Sequence, residues 1–361
     1  MNRYLKLKKK NVVYYLKLLK FLYFENIFFS FLKKFYNFFF NALQKKNKKN
    51  LAFIYDLEMN PITFDFGHFL VQAEEERRRK KLKFTDIFII KNSVNYTVKM
   101  HDFFIKNSIY ELDNRVHEII YPITRLLTTV KNVIIIEQEF LKKNKILENY
   151  KYIFPSKYSI TKRVSCKTGL SKTEAKKFFP MFSPPSRSLE IIEKYLKPIK
   201  KKIITITLRN SFYLKSRNSN IKEWIKFAGY LKKKNYYVIF IPDGINFSIK
   251  DKKMFKKFDI ADIVIWNLSL RTALYEKAFL NCSIVSGPVD ICSAYNHKSN
   301  TLRFYDLKKY PNKYLESLKK NWNDMEFHPW FSENNKQVFK SDNFHEIKKE
   351  FLIIEKYLNR N

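Results

Sequence analysis

Runs of apolar, β-branched residues alternate with helical patterns along most of the chain. In the first half, the pattern predicts strands at residues 51–55, 86–90 and 133–136, and helices at 67–82 and 114–130. Such alternation is typical of parallel sheets whose strands are joined by crossover helices. We therefore expect an α/β fold.

The second half repeats this alternation after a proline-rich, basic stretch. Strands are predicted at 203–208, 237–241, 262–266 and 282–285, and helices at 221–231, 270–280 and 343–358. The last helix is expected to cross back over the surface between two domains.

The 361 residues are long enough for two domains, each with its own core. We expect two Rossmann-like domains preceded by a basic aromatic helical arm. The predicted divisions are an arm (1–50, ending in a linker at 45–50), a first domain (51–150), a linker or cleft segment (151–200), a second domain (201–342) and a closing helix (343–361).

The arm interleaves thirteen Lys and Arg residues with fourteen Phe and Tyr residues. Its longest uncharged stretch, 35–44, is ten residues, whereas a spanning helix needs roughly 20 apolar residues. A basic aromatic helix can instead lie on an anionic membrane surface. The alternative is an extension that packs on the main body.

The formal net charge of +36 would normally indicate nucleic acid or an anionic membrane as partner. Heavy use of Lys, Asn, Ile, Phe and Tyr beside only 5 Gly is also what an AT-rich genome produces. Charge alone therefore does not identify a partner.

The three cysteines, Cys166, Cys282 and Cys292, form no CxxC pair, and the six histidines show no HExxH or HxxxH spacing. We therefore expect no zinc or other metal site and no disulfide framework. A location in the reducing cytoplasm fits these cysteines best. The dinucleotide fingerprint, the Walker loop and the GxSxG elbow are also missing, which argues against dehydrogenases, P-loop kinases and serine hydrolases.

The loop after the strand 203–208 carries the cations Arg209, Lys215 and Arg217 just before a helix. Because the first amides of a helix are available to an anion, this arrangement predicts a phosphate site. The same side chains could instead simply solvate a loop of a very basic protein.

A second candidate is the turn Ser286-Gly287-Pro288, which follows the strand 282–285. Glycine permits close backbone approach, and open α/β sheets bind ligands at the carboxyl ends of their strands. An ordinary strand-to-helix turn is the alternative.

Together these blocks resemble the donor half of GT-B glycosyltransferases, most closely the heptosyltransferase family, over residues 203–296. Asp290 stands where the family has His, and Ser286 where it has Thr, which leaves the donor open. The counterparts of the family motifs are Arg209 with Arg217, Trp224, the run Ser269-Leu270-Arg271, and the run Ser286-Gly287-Pro288-Val289-Asp290.

The resemblance extends into the first domain, where the family has a catalytic Asp at a helix start. Asp65 falls at the corresponding place, although an Asp there can also be a helix N-cap. Asp56 is the competing candidate. A carboxylate or imidazole must reach the acceptor hydroxyl, so one of Asp56, Glu58, Asp65 or His68 is expected in the cleft.

The resemblance implies a metal-independent glycosyltransferase, of hexosyl or heptosyl type and without a cofactor. It would move a sugar from a nucleotide-diphosphate donor to a surface-glycan or lipid-linked acceptor, in the cytoplasm and at the inner face of the membrane. A metal-binding DxD pair is not expected, because its nearest approach, Asp56-Leu57-Glu58, follows the first strand.

A non-catalytic protein that holds nucleic acid or an anionic membrane is the alternative, since aromatics among lysines suit single-stranded nucleic acid. No specific nucleic acid is expected for the transferase.

Overall fold

The structure is a computed structural model that describes residues 47–91, 113–164, 166, 181–211, 214–243, 253–294, 296, 298–310, 312 and 334–360. The arm up to residue 46 and its predicted roles lie outside these residues. The chain divides into a small unit, 1–48 with 145–151, and a large unit, 49–144 with 152–361. Within the small unit, the short 3-10 helix Ile146–Asn149 leads into a strand.

The first sheet has four strands in the order β3-β2-β1-β4. The β1/β2 and β2/β3 pairs are parallel, and helix α1 (Asp65–Arg79) connects β1 to β2. The strands are β1 (Asn47–Asp56), β2 (Phe84–Lys91), β3 (Val130–Glu137) and β4 (Tyr150–Phe154).

Short helices fill the connections around this sheet. They are a π-helix (Val116–Ile120) that runs into α2 (Tyr121–Thr124), then α3 (Gln138–Lys143) and α4 (Ser186–Leu196). The helix predicted to reach residue 130 ends at Thr124, because Val130 already pairs with Thr85 as the first residue of β3.

The second sheet has six strands in the order β10-β9-β8-β5-β6-β7, joined by parallel pairs. Its strands are β5 (Ile203–Arg209), β6 (Tyr237–Asp243), β7 (Asp259–Ile260), β8 (Leu280–Ile284), β9 (Thr301–Phe304) and β10 (Asn335–Val338). Its helices are α5 (Ile221–Lys233), α6 (Leu268–Lys277), α7 (Gly287–Val289), which continues as a π-helix (Asp290–Ala294), and α8 (Phe344–Leu358).

Helices cover both faces of this second sheet. Ile204, Ile206 and Leu208 of β5 point into a core shared with α5 and α8. The opposite face packs on α4 and α6, in a core that also contains the first sheet's apolar residues. The two parallel sheets with helices between and around them confirm the α/β prediction.

Two further predictions differ from the structure. Residues 262–266 form a 3-10 turn instead of a strand, because Arg271 donates to the carbonyls of Val264 (3.1 Å) and Ile265 (2.9 Å) that a sheet ladder would need. The predicted linker 45–50 overlaps β1, which begins at Asn47. The buried side chains of the closing helix α8 lie in the core of the second sheet, and its crossing over the surface between the domains stays a prediction.

The side chain of Arg271 is fully buried, which indicates a structural role. Within the part of the chain that is described, no helix is both long and apolar enough to cross a membrane. The other domain limits remain predictions.

Candidate functional site

The two candidate turns lie side by side at the carboxyl edge of the second sheet. Strands β5 and β8 are parallel neighbours, with Thr207 beside Ser283. The chain proceeds from β5 toward β6 on one side and from β8 toward β9 on the other. Such a reversal creates the crevice where open α/β sheets bind ligands. The loop after β5 and the turn after β8 both border it.

Arg209 ends β5 and is only 8% exposed. Its Nη1 donates to the carbonyl of Leu214 (3.2 Å) and to the side chain of Asn218, and its backbone amide donates to Ser219 Oγ (2.9 Å). These bonds hold the loop together from within. The assignment of Arg209 to a phosphate stays a prediction.

Arg217 and Lys215 share a 3-10 turn (Lys215–Arg217), in which Lys215 is exposed. The Arg217 guanidinium lies over the Tyr310 ring, 4.4 Å from its centroid, and Tyr310 stacks on Tyr305 at 4.5 Å. Ser216 Oγ donates to the carbonyl of Lys309 (3.0 Å). The segment 305–310 therefore fixes the position of the turn.

The backbone amide of Asn220, the N-cap residue of α5, has a carboxylate partner within the protein. Asp342 is 2% exposed and its Oδ2 accepts from the amide of Asn220 (2.7 Å) and from Nε1 of Trp224 (2.9 Å). Lys309 Nζ bonds its other oxygen at 2.8 Å. A carboxylate of the protein itself therefore bonds the N-cap amide of α5, and the phosphate site before this helix stays a prediction.

The turn Ser286-Gly287-Pro288 closely approaches the connection between β1 and β2. Ser286 is buried at the start of α7, and Pro288 follows within the first turn of that helix. A Cβ built on Gly287 would lie 2.6 Å from Cβ of Phe64, the residue before α1. Only glycine leaves room for this approach.

A second glycine allows the same approach from the other side. A Cβ on Gly67 of α1 would overlap Cδ1 of Ile291. Their sequence neighbours His68 and Asp290 are accordingly close enough to interact electrostatically. The beginning of α1 and the helical segment 287–294 therefore meet directly.

Asp290 pairs with the fully buried Arg303 of β9, Oδ1 to Nη1 at 2.6 Å. Burial raises the pKa of the Asp290 carboxyl above its usual range, while Arg303, His68 and Arg217 pull it back down. The position that departs from the family pattern is thus part of a charged cluster that links both sheets' connections.

Asp65 is the first residue of α1 and is exposed. Its Oδ2 accepts from Thr63 Oγ1 at 2.8 Å. The N-cap position belongs to Phe64, so the alternative role of Asp65 as a cap is not seen. Asp65 directly follows Phe64, the residue that meets Gly287.

Asp56 is in the opposite situation, fully buried at the end of β1. Arg163 donates Nε to Oδ2 (2.7 Å) and Nη2 to Oδ1 (2.8 Å), and Tyr158 Oη donates to Oδ2 (2.8 Å). Arg163 also bonds Glu58. Although burial disfavours the charged guanidinium, these bonds raise the pKa of Arg163. Asp56 and Glu58 are therefore tied into a structural network.

A small pocket of about 10 Å³ lies beside Arg217, at the carboxyl ends of β8 and β9. Its charged and aromatic lining comprises Arg217, Asp306, Lys309, Tyr310, Lys340 and Asp342. The sequence did not single out Arg163, Arg303, Tyr310 or Asp342. Their partners lie 107, 13, 93 and 122 residues away, and no short motif records such pairings.

The three cysteines are free and buried. Among the residues that the structure describes, no group of three or more His, Cys, Asp or Glu side chains is arranged to hold a metal ion.

No protein-family model and no curated protein sequence matches this chain. Solved structures do match. The glycosyl transferase family 9 protein from Veillonella parvula DSM 2008 is 8% identical, covering 88% of this chain and 99% of that one, with a TM-score of 0.49. The E. coli ADP-heptose lps heptosyltransferase II is 9% identical, covering 86% and 98%, also at 0.49.

A UDP-GlcNAc 2-epimerase from Methanocaldococcus jannaschii is 11% identical, covering 84% of this chain and 92% of that one, with a TM-score of 0.34. Such low identities and TM-scores transfer no activity, and one fold carries several chemistries. The function has to follow from this chain's own residues.

Proposed function

We propose that this chain is a glycosyltransferase that moves a sugar from a nucleotide-diphosphate donor to a hydroxyl of a surface-glycan or lipid-linked acceptor. One observation carries the proposal: the start of α1, with the exposed Asp65, meets the Gly287 turn at the crevice of the second sheet. An exposed carboxylate that can accept a proton thus belongs to a segment in contact with a turn suited to an anion.

On the donor side, Arg217 and Lys215 supply positive charge and the Ser286-Gly287 turn supplies backbone amides. Their position beside the crevice supports contact with the diphosphate. Arg209 would shape the loop through its bonds to Leu214 and Asn218, in addition to any phosphate contact.

In the proposed step, the acceptor oxygen bonds to the anomeric carbon while the bond from that carbon to the diphosphate oxygen breaks. Asp65 takes the hydroxyl proton, and the nucleoside diphosphate leaves with the electron pair. Cations and amides fixed in advance at the leaving oxygen lower the barrier. We propose that Arg217 and Lys215 do this without a metal ion.

The choice of Asp65 as base rests on exposure. Asp56 and Glu58 are bonded by Arg163, and a base must reach the acceptor within hydrogen-bond distance. His68 is the second cleft candidate, because it lies in the same helix and faces Asp290. Residues 51–150 would then hold the acceptor and 201–342 the donor, at the inner face of the membrane.

A thermal-shift screen of ADP-, UDP- and GDP-sugars and the free nucleotides tests donor binding. A ligand that binds only the folded state raises the melting temperature, and we expect this for one nucleotide class. No response to any nucleotide, together with tight salt-sensitive binding of RNA, would contradict the transferase and favour the non-catalytic alternative.

Once a donor is known, Asp65→Asn should slow turnover by about 10²- to 10⁴-fold and leave donor affinity unchanged. Glu139→Gln is the matched control, because Glu139 is likewise an exposed acid in the first turn of a helix, α3. If turnover survives in Asp65→Asn but is lost in His68→Gln, the imidazole is the base instead.

A further inference from the structure

The outer side of α8 combines apolar and basic residues in one stripe. Ile347, Phe351 and Ile354 point into the core. On the other side, Leu352 and Ile353 are 40% and 51% exposed. Three more exposed residues, His345, Lys349 and Lys356, lie on the same side of the helix because they are spaced three or four residues apart from Leu352 or Ile353 or from one another.

Helix α5 lies beside α8 and continues this surface. The two helices contact each other through Phe227 and Phe351, whose ring centroids are 5.4 Å apart. The exposed basic residues of α5 are Lys222, Lys226, Lys232 and Lys233. We call these four residues, with Lys349, Leu352, Ile353 and Lys356, the lysine face.

The four acids of the two helices, Glu223, Glu346, Glu350 and Glu355, are buried or half-buried. Each already pairs with a lysine: Glu223 with Lys226 (2.6 Å), Glu346 with Lys340 (2.7 Å), Glu350 with Lys336 (2.6 Å) and Glu355 with Lys234 (2.9 Å). Of the six lysines of the lysine face, Lys226 is thus paired with an acid of these helices, whereas the other three acids pair with lysines outside it, so the face keeps excess positive charge around an aliphatic centre.

We propose that the lysine face docks on an anionic lipid bilayer. Leu352 and Ile353 enter the headgroup layer, while the flanking lysines lie against the lipid phosphates. Single-stranded nucleic acid is less suited to it, because base stacking needs well-exposed rings and the aromatic side chains of these two helices are buried or half-buried. The inference does not depend on the transferase activity, and this surface is separate from the predicted arm.

Sedimentation of the full chain with vesicles of phosphatidylcholine and phosphatidylglycerol in equal parts tests it. Lys349→Gln with Lys356→Gln should weaken binding on the order of fivefold per lysine. The matched control is Lys194→Gln with Lys197→Gln, which removes two exposed lysines at the end of α4 and should leave binding unchanged. The charge-conserving Lys349→Arg with Lys356→Arg should bind like the original chain, which excludes a folding defect.

Leu352→Ser with Ile353→Ser should also weaken binding but retain its dependence on salt concentration. Equal binding by the α8 and α4 glutamine variants would overturn the inference, since the arm or overall charge would then account for adhesion. If Lys349→Gln with Lys356→Gln abolished binding to an RNA oligonucleotide but left vesicle binding as in the original chain, the inference would be overturned in favour of nucleic acid.

Discussion

The carboxyl edges of the two sheets use their charged residues in contrasting ways. At the first sheet, Asp56 is fully buried and bonded by Arg163 and Tyr158. At the second, Lys215 is exposed and Arg217 rests on Tyr310 beside an open pocket. The first arrangement fixes a loop, whereas the second leaves charge near the crevice. The exposed Asp65 is the exception in the first half, which is why it is the proposed base.

The largest expected effect separates the two aspartates by stability. Asp56→Ala leaves Arg163 without its main counter-charge and should lower the free energy of unfolding by about 3–5 kcal/mol. Asp65→Ala should change it by less than about 0.5 kcal/mol, because the side chain is exposed. Urea denaturation measures both, and similar losses would remove the distinction between a structural and a catalytic aspartate.

The contact between the halves should be the next most sensitive. Gly287→Ala forces a methyl group against Phe64 and should cost about 1–3 kcal/mol. Gly229→Ala is the control: its added Cβ meets nothing within 4 Å, and in the interior of α5 alanine should stabilise by about 0.5–1 kcal/mol. Thermal melts of both variants would show opposite shifts, and a neutral Gly287→Ala would mean that the contact is loose.

A smaller effect is expected at the donor side. Arg217→Gln should weaken nucleotide-diphosphate binding about tenfold, as for loss of one hydrogen bond to a charged group. Arg187→Gln, an exposed arginine of α4, is the control. Isothermal titration with the nucleoside diphosphate and the matching nucleoside is decisive: Arg217→Gln should affect only the diphosphate. An equal loss for both ligands would place Arg217 away from the phosphates.

The smallest effect is a pH dependence in the first half. Burial opposes ionisation of Glu74, but hydrogen bonds from Arg77, Thr129 and Arg78 lower its pKa below the ordinary value of 4.5. The stabilisation is therefore complete above the ordinary pKa and is lost as the pH falls through the lowered one. Unfolding free energies measured from pH 6 to pH 3 should fall less steeply in Glu74→Gln, and parallel curves would contradict this assignment.

The sequence predicted elements whose pattern is local. Strand β5 has the apolar Ile204, Ile206 and Leu208 on one face, and the stripe from Ile221 to Leu231 gives α5 within two residues. The prediction of a strand at 262–266 was wrong because Arg271, in the following helix, donates hydrogen bonds to the carbonyls of this segment. The spacing of apolar residues along the chain carries no information about that contact.

The candidate site was predictable to the same extent. The crevice position of Arg217 and Gly287 follows from strand order, and Asp65 does begin a helix. The carboxylate at the start of α5 was not predictable, because Asp342 is 122 residues from Asn220. From the sequence alone Asp56 is likewise a candidate base, because its partner Arg163 lies 107 residues away.

The distance between α5 and Asp342 also has a consequence for synthesis on the ribosome. Strands β1 to β4 have left the ribosome long before Asp342 and α8 do, and those late residues complete the start of α5 and the core of the second sheet. At ordinary elongation rates the interval is roughly 10–40 s. During it, the apolar side chains of β5 lack the cover that α8 later provides, so the nascent second half is a candidate substrate for chaperones.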